Sequence, residues 1–103
     1  MGSRDANDSV TARYAELAEE ARGEAETLRD RWEQAGDTDG AELAGRLAGL
    51  LANARDDARR GKLPPRSGGF PLTRFMGDYE WGEEGRRVEN KVYALQRCWQ
   101  ESG

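Results

Sequence analysis

The sequence predicts an all-α fold: an antiparallel helical hairpin, then an irregular Pro/Gly/aromatic crossover, then a C-terminal helix, three-helix bundle-like in outline. Three observations carry that prediction. Apolar residues recur every three or four positions in three separate segments. All three prolines, both phenylalanines, a tyrosine and a tryptophan gather instead in one stretch, PPRSGGFPLTRFMGDYEW, from Pro64 to Trp81. Charged residues make up 35% of the 103 positions and hydrophobic ones 36%. That balance suits solvated helices with narrow apolar stripes and leaves too little apolar material for a thick sheet-and-helix sandwich.

The first helix is expected over about residues 9–35, preceded by a small, polar, disordered leader at 1–7. Val10, Tyr14, Leu17, Ala21, Ala25, Leu28 and Trp32 fall on one helical face. Asp8 or Ser9 is the expected N-cap and Gly36 the stop. The second helix, about 40–60, carries the stripe Leu43, Leu47, Leu50, Leu51, Ala54 and Ala58. Asp39 and Glu42 have the spacing of a capping box, and Gly61 ends the segment. Ala41, Gly45 and Gly49 form a small-residue column that admits a close helix neighbour. A turn of three or four residues between the two helices makes them antiparallel.

Pro64 and Pro65 stop helical structure, because proline lacks the amide donor and clashes with the preceding turn. The crossover is therefore placed at 61–82. Helical periodicity returns over about 83–100, with Val88, Val92, Leu95 and Trp99 on one face and Tyr93 beside it. A first helix of 27 residues would be about 40 Å long and a third of 18 residues about 27 Å, so the third cannot cover the hairpin alone. The crossover and a second copy of the chain are both expected to cover the rest, which predicts a homodimer. Residues 8–103 thus form one helical domain, large enough to bury about 60–70% of its unfolded surface.

Composition excludes several chemistries. There is no histidine and one cysteine, so Cys/His zinc sites, a Ser-His-Asp triad and a Cys-His pair cannot form within one chain. Asp37-Thr38-Asp39-Gly40 opens like a calcium loop, but glycine stands at the third ligand position and Ala48 where the closing glutamate belongs. Gly61-Lys62-Leu63 lacks both the earlier glycine and the following Ser/Thr of a phosphate-binding loop. Asp56 and Asp57, or Glu83 and Glu84, are adjacent on a helix and diverge, as solvated surface charge does. Cys98, near the final aromatic turn, could be a reactive thiol but reads better as a small, partly buried hydrophobe. The expectation is a protein that is not an enzyme and holds no metal or cofactor.

Charge is uneven: residues 1–54 carry 6 basic and 12 acidic side chains, and residues 55–103 carry 10 and 8, within an overall net of -4. An acidic chain is a poor general polyanion binder, whose affinity rests on many cationic phosphate contacts. The cluster Arg55, Arg59, Arg60, Lys62, Arg66 and Arg74 nevertheless makes a nucleic-acid-binding regulator the alternative function. The leading expectation is a protein-binding module: a small regulator, adaptor or inhibitor. Its partner-binding residues are expected to be Phe70, Phe75, Tyr79 and Trp81, with Arg59, Arg60 and Arg66 setting charge complementarity. Against this stands a structural role, in which the aromatics complete a core that an alanine-rich hairpin cannot fill.

The lone cysteine and the lack of any transmembrane or signal-like apolar run predict a cytoplasmic protein with no membrane association. Abundant Ala, Gly and Arg point to a GC-rich genome, and a bacterial or bacteriophage origin is expected. Trp32-Glu33-Gln34-Ala35-Gly36 is two residues too long for the Trp-x-Gly turn of small secreted helical-hairpin proteins. Pro64, Pro65 and Pro71 also interrupt what would be their second helix, so the sequence does not place itself in that family.

Overall fold

Between Ser3 and Arg22 the chain has neither proline nor glycine, and in the computed structural model it folds into one long helix, α1 (Gly2–Gln34). The structure describes residues 2–65 and 69–101. Three further helices follow: α2 (Thr38–Arg59), α3 (Pro71–Gly77) and α4 (Arg86–Glu101). No strand occurs among the described residues.

Several expected boundaries move. The expected leader is helical from Gly2, so Asp8 and Ser9 lie inside α1 instead of capping it; polar composition alone does not stop a helix. The N-cap of α2 is Asp37, two residues before the expected Asp39. Its carboxylate accepts from the Gly40 amide at 2.9 Å. Any side chain at position 40 would collide with that carboxylate and with Trp32, because its Cβ would stand 2.5 Å from the first and 2.9 Å from the second. Gly36 and Gly61 take positive φ, 84° and 81°, as the expected stops require. The crossover is not wholly irregular. Pro71, barred from a helix interior, starts α3, where its missing amide leaves no hydrogen bond unmade.

Cross-chain contacts fix the direction of each segment. Arg55 near the end of α2 meets Glu19 at the middle of α1, and Gly40 at its start adjoins Trp32 near the end of α1. α2 therefore runs antiparallel to α1. Lys91 pairs with Glu20 at 3.6 Å and the Cys98 thiol points to the Val10 carbonyl at 3.9 Å, so α4 also runs antiparallel to α1. The crossover must then return the full length. Trp99 Nε1 donates to the Pro64 carbonyl at 2.7 Å, Thr73 bonds to Gln96, and Trp81 stacks on Trp32 with ring centroids 6.2 Å apart.

The result is an up-down-up-down bundle whose third rod is part strap, part short helix. α1 packs against α2 and α4, and α3 against α4. The core joins Tyr14, Ala18, Ala21 and Ala25 of α1 with Leu47 and Leu51 of α2, Phe70, Leu72, Met76 and Trp81 of the crossover, and Val88, Val92, Leu95 and Trp99 of α4. Leu50 departs from its expected stripe and is 41% exposed. The small-residue column also ends early: Ala41 is buried and Gly45 lies against Arg29, but Gly49 has no neighbour within 4 Å. The crossover supplies the cover that the helix lengths demanded, so those lengths no longer call for a second copy.

Candidate functional site

Regular helices interlock along their length, whereas a strap fixed by three prolines cannot repeat its side-chain spacing against a neighbour. The seam between α2 and the crossover consequently holds two concavities, one in each half of α2. The upper one, about 310 Å³, lies between the first half of α2 and Tyr79; Asp39, Glu42, Leu43 and Arg46 line it. The lower one, about 420 Å³, lies between the second half of α2 and the strap. Leu50, Ala54, Leu63, Pro64, Pro71 and Leu72 make its walls, and the fully buried Tyr14 of α1 adjoins it.

The four aromatics expected to bind a partner divide into two pairs. Phe70 and Trp81 are buried, which corrects their assignment to an exposed surface in this chain. Phe70 packs edge-on to Tyr14 (6.4 Å) and against Trp99 (5.1 Å). Trp81 donates its indole N–H to the Met76 carbonyl at 3.0 Å. Their burial follows from supply: α1 and α2 offer mainly alanine and leucine at the interface, and the larger rings bring the core to native density. Phe75 is half-buried, and Tyr79 is 43% exposed with its ring 5.3 Å from Phe75.

The basic residues also divide. Arg55 is held by Glu19 and, through Nε, by Asp56 at 3.1 Å. Arg22 binds the same Glu19, its Nε 3.0 Å from Oε2, and reaches Glu26 at 2.8 Å. Hydrogen bonds from Arg22, then Arg55, hold the Glu19 carboxyl down to about 2. Arg59, Arg60, Lys62 and Arg74 are exposed, and Arg59 borders a concavity of about 550 Å³ between α1 and α2, shared with Glu16, Glu19 and Glu20. Arg66 lies outside the described residues. Leu43 and Arg59 are about 24 Å apart along α2, so Tyr79, which adjoins Leu43, does not share one patch with Arg59 and Arg60.

No group of three or more His, Cys, Asp or Glu among the described residues could hold a metal. Cys98 is buried, and burial pushes its thiol pKa up, away from the thiolate that nucleophilic chemistry needs. No helix among the described residues is long and apolar enough to cross a membrane.

Tyr14 was legible only as one member of an apolar face. In the structure it has no exposed surface, and its hydroxyl is the one buried side-chain polar atom without a hydrogen-bond partner among the described residues. Burial pushes its pKa far above the usual phenol value, with smaller contributions from Cys98 and Asp57; it is a neutral O–H donor at any physiological pH. A bulky, polar-tipped residue on an otherwise alanine-rich face was the available signal. Whether its hydroxyl finds a partner depends on the strap, which no local pattern encodes. No protein-family model, curated protein or solved structure matches the chain, so function rests on these residues alone.

Proposed function

We propose that the chain is a small non-catalytic protein-binding module, a regulator, adaptor or inhibitor of bacterial or bacteriophage origin working in the cytoplasm. Its partner surface is the upper half of the seam between α2 and the crossover. The observation that supports this reading is Tyr79, 43% exposed and standing beside Phe75 at the edge of a concavity shared with Leu43 and Arg46. Tyrosine and arginine are the residue types that most often carry binding energy at interfaces, especially beside an apolar pocket. Asp39 and Glu42 place carboxylates next to Arg46, which suits a partner segment of mixed charge. Arg59 and Arg60, at the far end of α2, act on encounter rate more than on the final contact.

Affinity capture from the native cell with wild type, Tyr79→Ser and Leu50→Ala tests the reading. The partner is expected on wild type and Leu50→Ala and lost from Tyr79→Ser; a partner retained by all three would place the surface elsewhere. Nucleic-acid binding has less support, because Arg55 is committed to carboxylates and Arg59 faces acidic neighbours. Phosphate contacts would show as capture of nucleic acid that falls steeply as salt rises. Homodimerisation belongs to the same reading, with Tyr93 of α4, 44% exposed, offering a face apart from the seam. Sedimentation velocity across a concentration series reads it directly.

A further inference from the structure

The lower concavity carries an observation of a different kind. A buried hydroxyl without a partner forfeits the hydrogen bonds it made to water, so native structures rarely keep one without a compensating group. Tyr14 is such a case, and it is among the residues lining a groove whose volume is in the range of small-molecule sites. The groove's polar residues, Asn53, Asp57 and Lys62, are at least partly open to solvent.

We propose that this groove binds a small, uncharged, largely apolar molecule about the size of an aromatic ring, whose single hydrogen-bond acceptor takes the Tyr14 hydroxyl proton. The acceptor follows from the hydroxyl, which is a neutral donor. The apolar body follows from the leucine, alanine and proline walls. The absence of net charge follows from Asp57 and Lys62, which oppose each other's preference, and from the cost of moving an ion into an apolar groove. Pro64, Pro65 and Pro71 limit the motion of one wall, which lowers the ordering cost of binding. Tyr14 has no accessible surface in the free chain, so the walls part slightly as the ligand seats. This site lies in the other half of α2 from Tyr79 and stands independently of the partner-binding reading.

Two probes of nearly equal shape isolate the hydrogen bond: acetophenone, which has a carbonyl oxygen, and α-methylstyrene, which has a methylene in its place. Each is titrated into the full chain by amide-resolved NMR. Both are expected to shift the amides of Leu50, Leu63 and Leu72. Tyr14→Phe is expected to weaken acetophenone about 3- to 10-fold, the span of one net hydrogen bond, and to leave α-methylstyrene unchanged. Leu50→Asp, which puts a charge on the exposed rim, weakens both probes and keeps the test decisive should Tyr14→Phe misfold. Tyr79→Ser leaves both unaffected, so a failure here is separable from a failure of the partner-binding reading. The proposal is overturned if Tyr14→Phe changes neither affinity, as a water-satisfied hydroxyl would give, or if the shifts map away from the groove.

Discussion

α2 borders two seams that differ in what lines them. Against α1 it presents Ala41, Ala44, Leu47, Ala48 and Leu51, all buried, and the two helices interlock along their shared length. Against the crossover it presents Leu43, Leu50, Ala54 and the charged residues between them, with two concavities. The difference comes from the neighbour. A helix offers a regular ladder of side chains into which small residues can fit closely, whereas a proline-fixed strap meets α2 only where a side chain happens to reach. Concavities border the α1 side of α2 as well, but charged side chains dominate them, Glu16, Glu19, Glu20 and Arg59 in one and Arg29, Glu33 and Glu42 in the other; what sets the crossover side apart is a groove walled by leucine, alanine and proline.

The sharpest way to break the comparison is to empty each seam in turn. Leu47→Ala, on the seam with α1, is expected to cost about 3–4 kcal/mol by chemical denaturation, the range for a fully buried leucine. Leu50→Ala, three positions on and 41% exposed, is expected to cost under about 1 kcal/mol. Comparable losses at the two positions would mean that the second seam is as well filled as the first. A smaller effect sharpens how the crossover is anchored. Gly85 donates its amide to the Trp81 carbonyl at 3.1 Å, and a Cβ there would sit 2.5 Å from Trp81 Cβ and 2.7 Å from its oxygen. Gly85→Ala is therefore expected to destabilise by about 1–3 kcal/mol and to alter the fluorescence of the Trp32–Trp81 stack. Unchanged fluorescence with unchanged stability would show that the turn has slack.

The smallest effect concerns the ion pairs between α1 and α2. Glu19 is held down to about 2 from an ordinary 4.5 by Arg22 and Arg55. A depressed carboxylate contributes stability above its unfolded value, and that contribution is lost as pH falls from about 4.5 toward 2. The Glu19 side chain is 38% exposed, so screening limits the contribution to under about 1 kcal/mol. Glu19→Gln is expected to show that small deficit at pH 7 in a urea series, and the deficit should shrink steadily as pH falls from about 4.5 toward 2. A deficit that persists undiminished at low pH would assign it to packing instead of charge.

How much of this was legible beforehand depends on whether a feature is local. The hairpin and the C-terminal helix follow from periodicity, and Val88, Val92, Leu95 and Trp99 are buried as their spacing requires. Gly36 and Gly61 stop their helices because the left-handed turn is a property of single residues. Asp37 and Asp39 both precede a helix-forming run, and only the three-dimensional fit to Gly40 chooses Asp37 as the cap. The Pro71 helix is not legible because proline marks a helix start as readily as a helix stop. The aromatics were legible as a group, but their division into buried Phe70 and Trp81 and surface Tyr79 depends on the path of the crossover. The crossover seam and the unpartnered Tyr14 hydroxyl follow from that path as well.

The crossover seam is tested most directly by equilibrium urea unfolding of Tyr14→Phe against wild type, without added ligand. If the hydroxyl is buried and unpaired beside the groove, its removal relieves a desolvated polar group, and the variant is expected to be equally stable or to gain up to about 1 kcal/mol. A loss of about 1 kcal/mol or more would show that the hydroxyl is bonded within the folded chain, which contradicts an unpaired donor beside the groove.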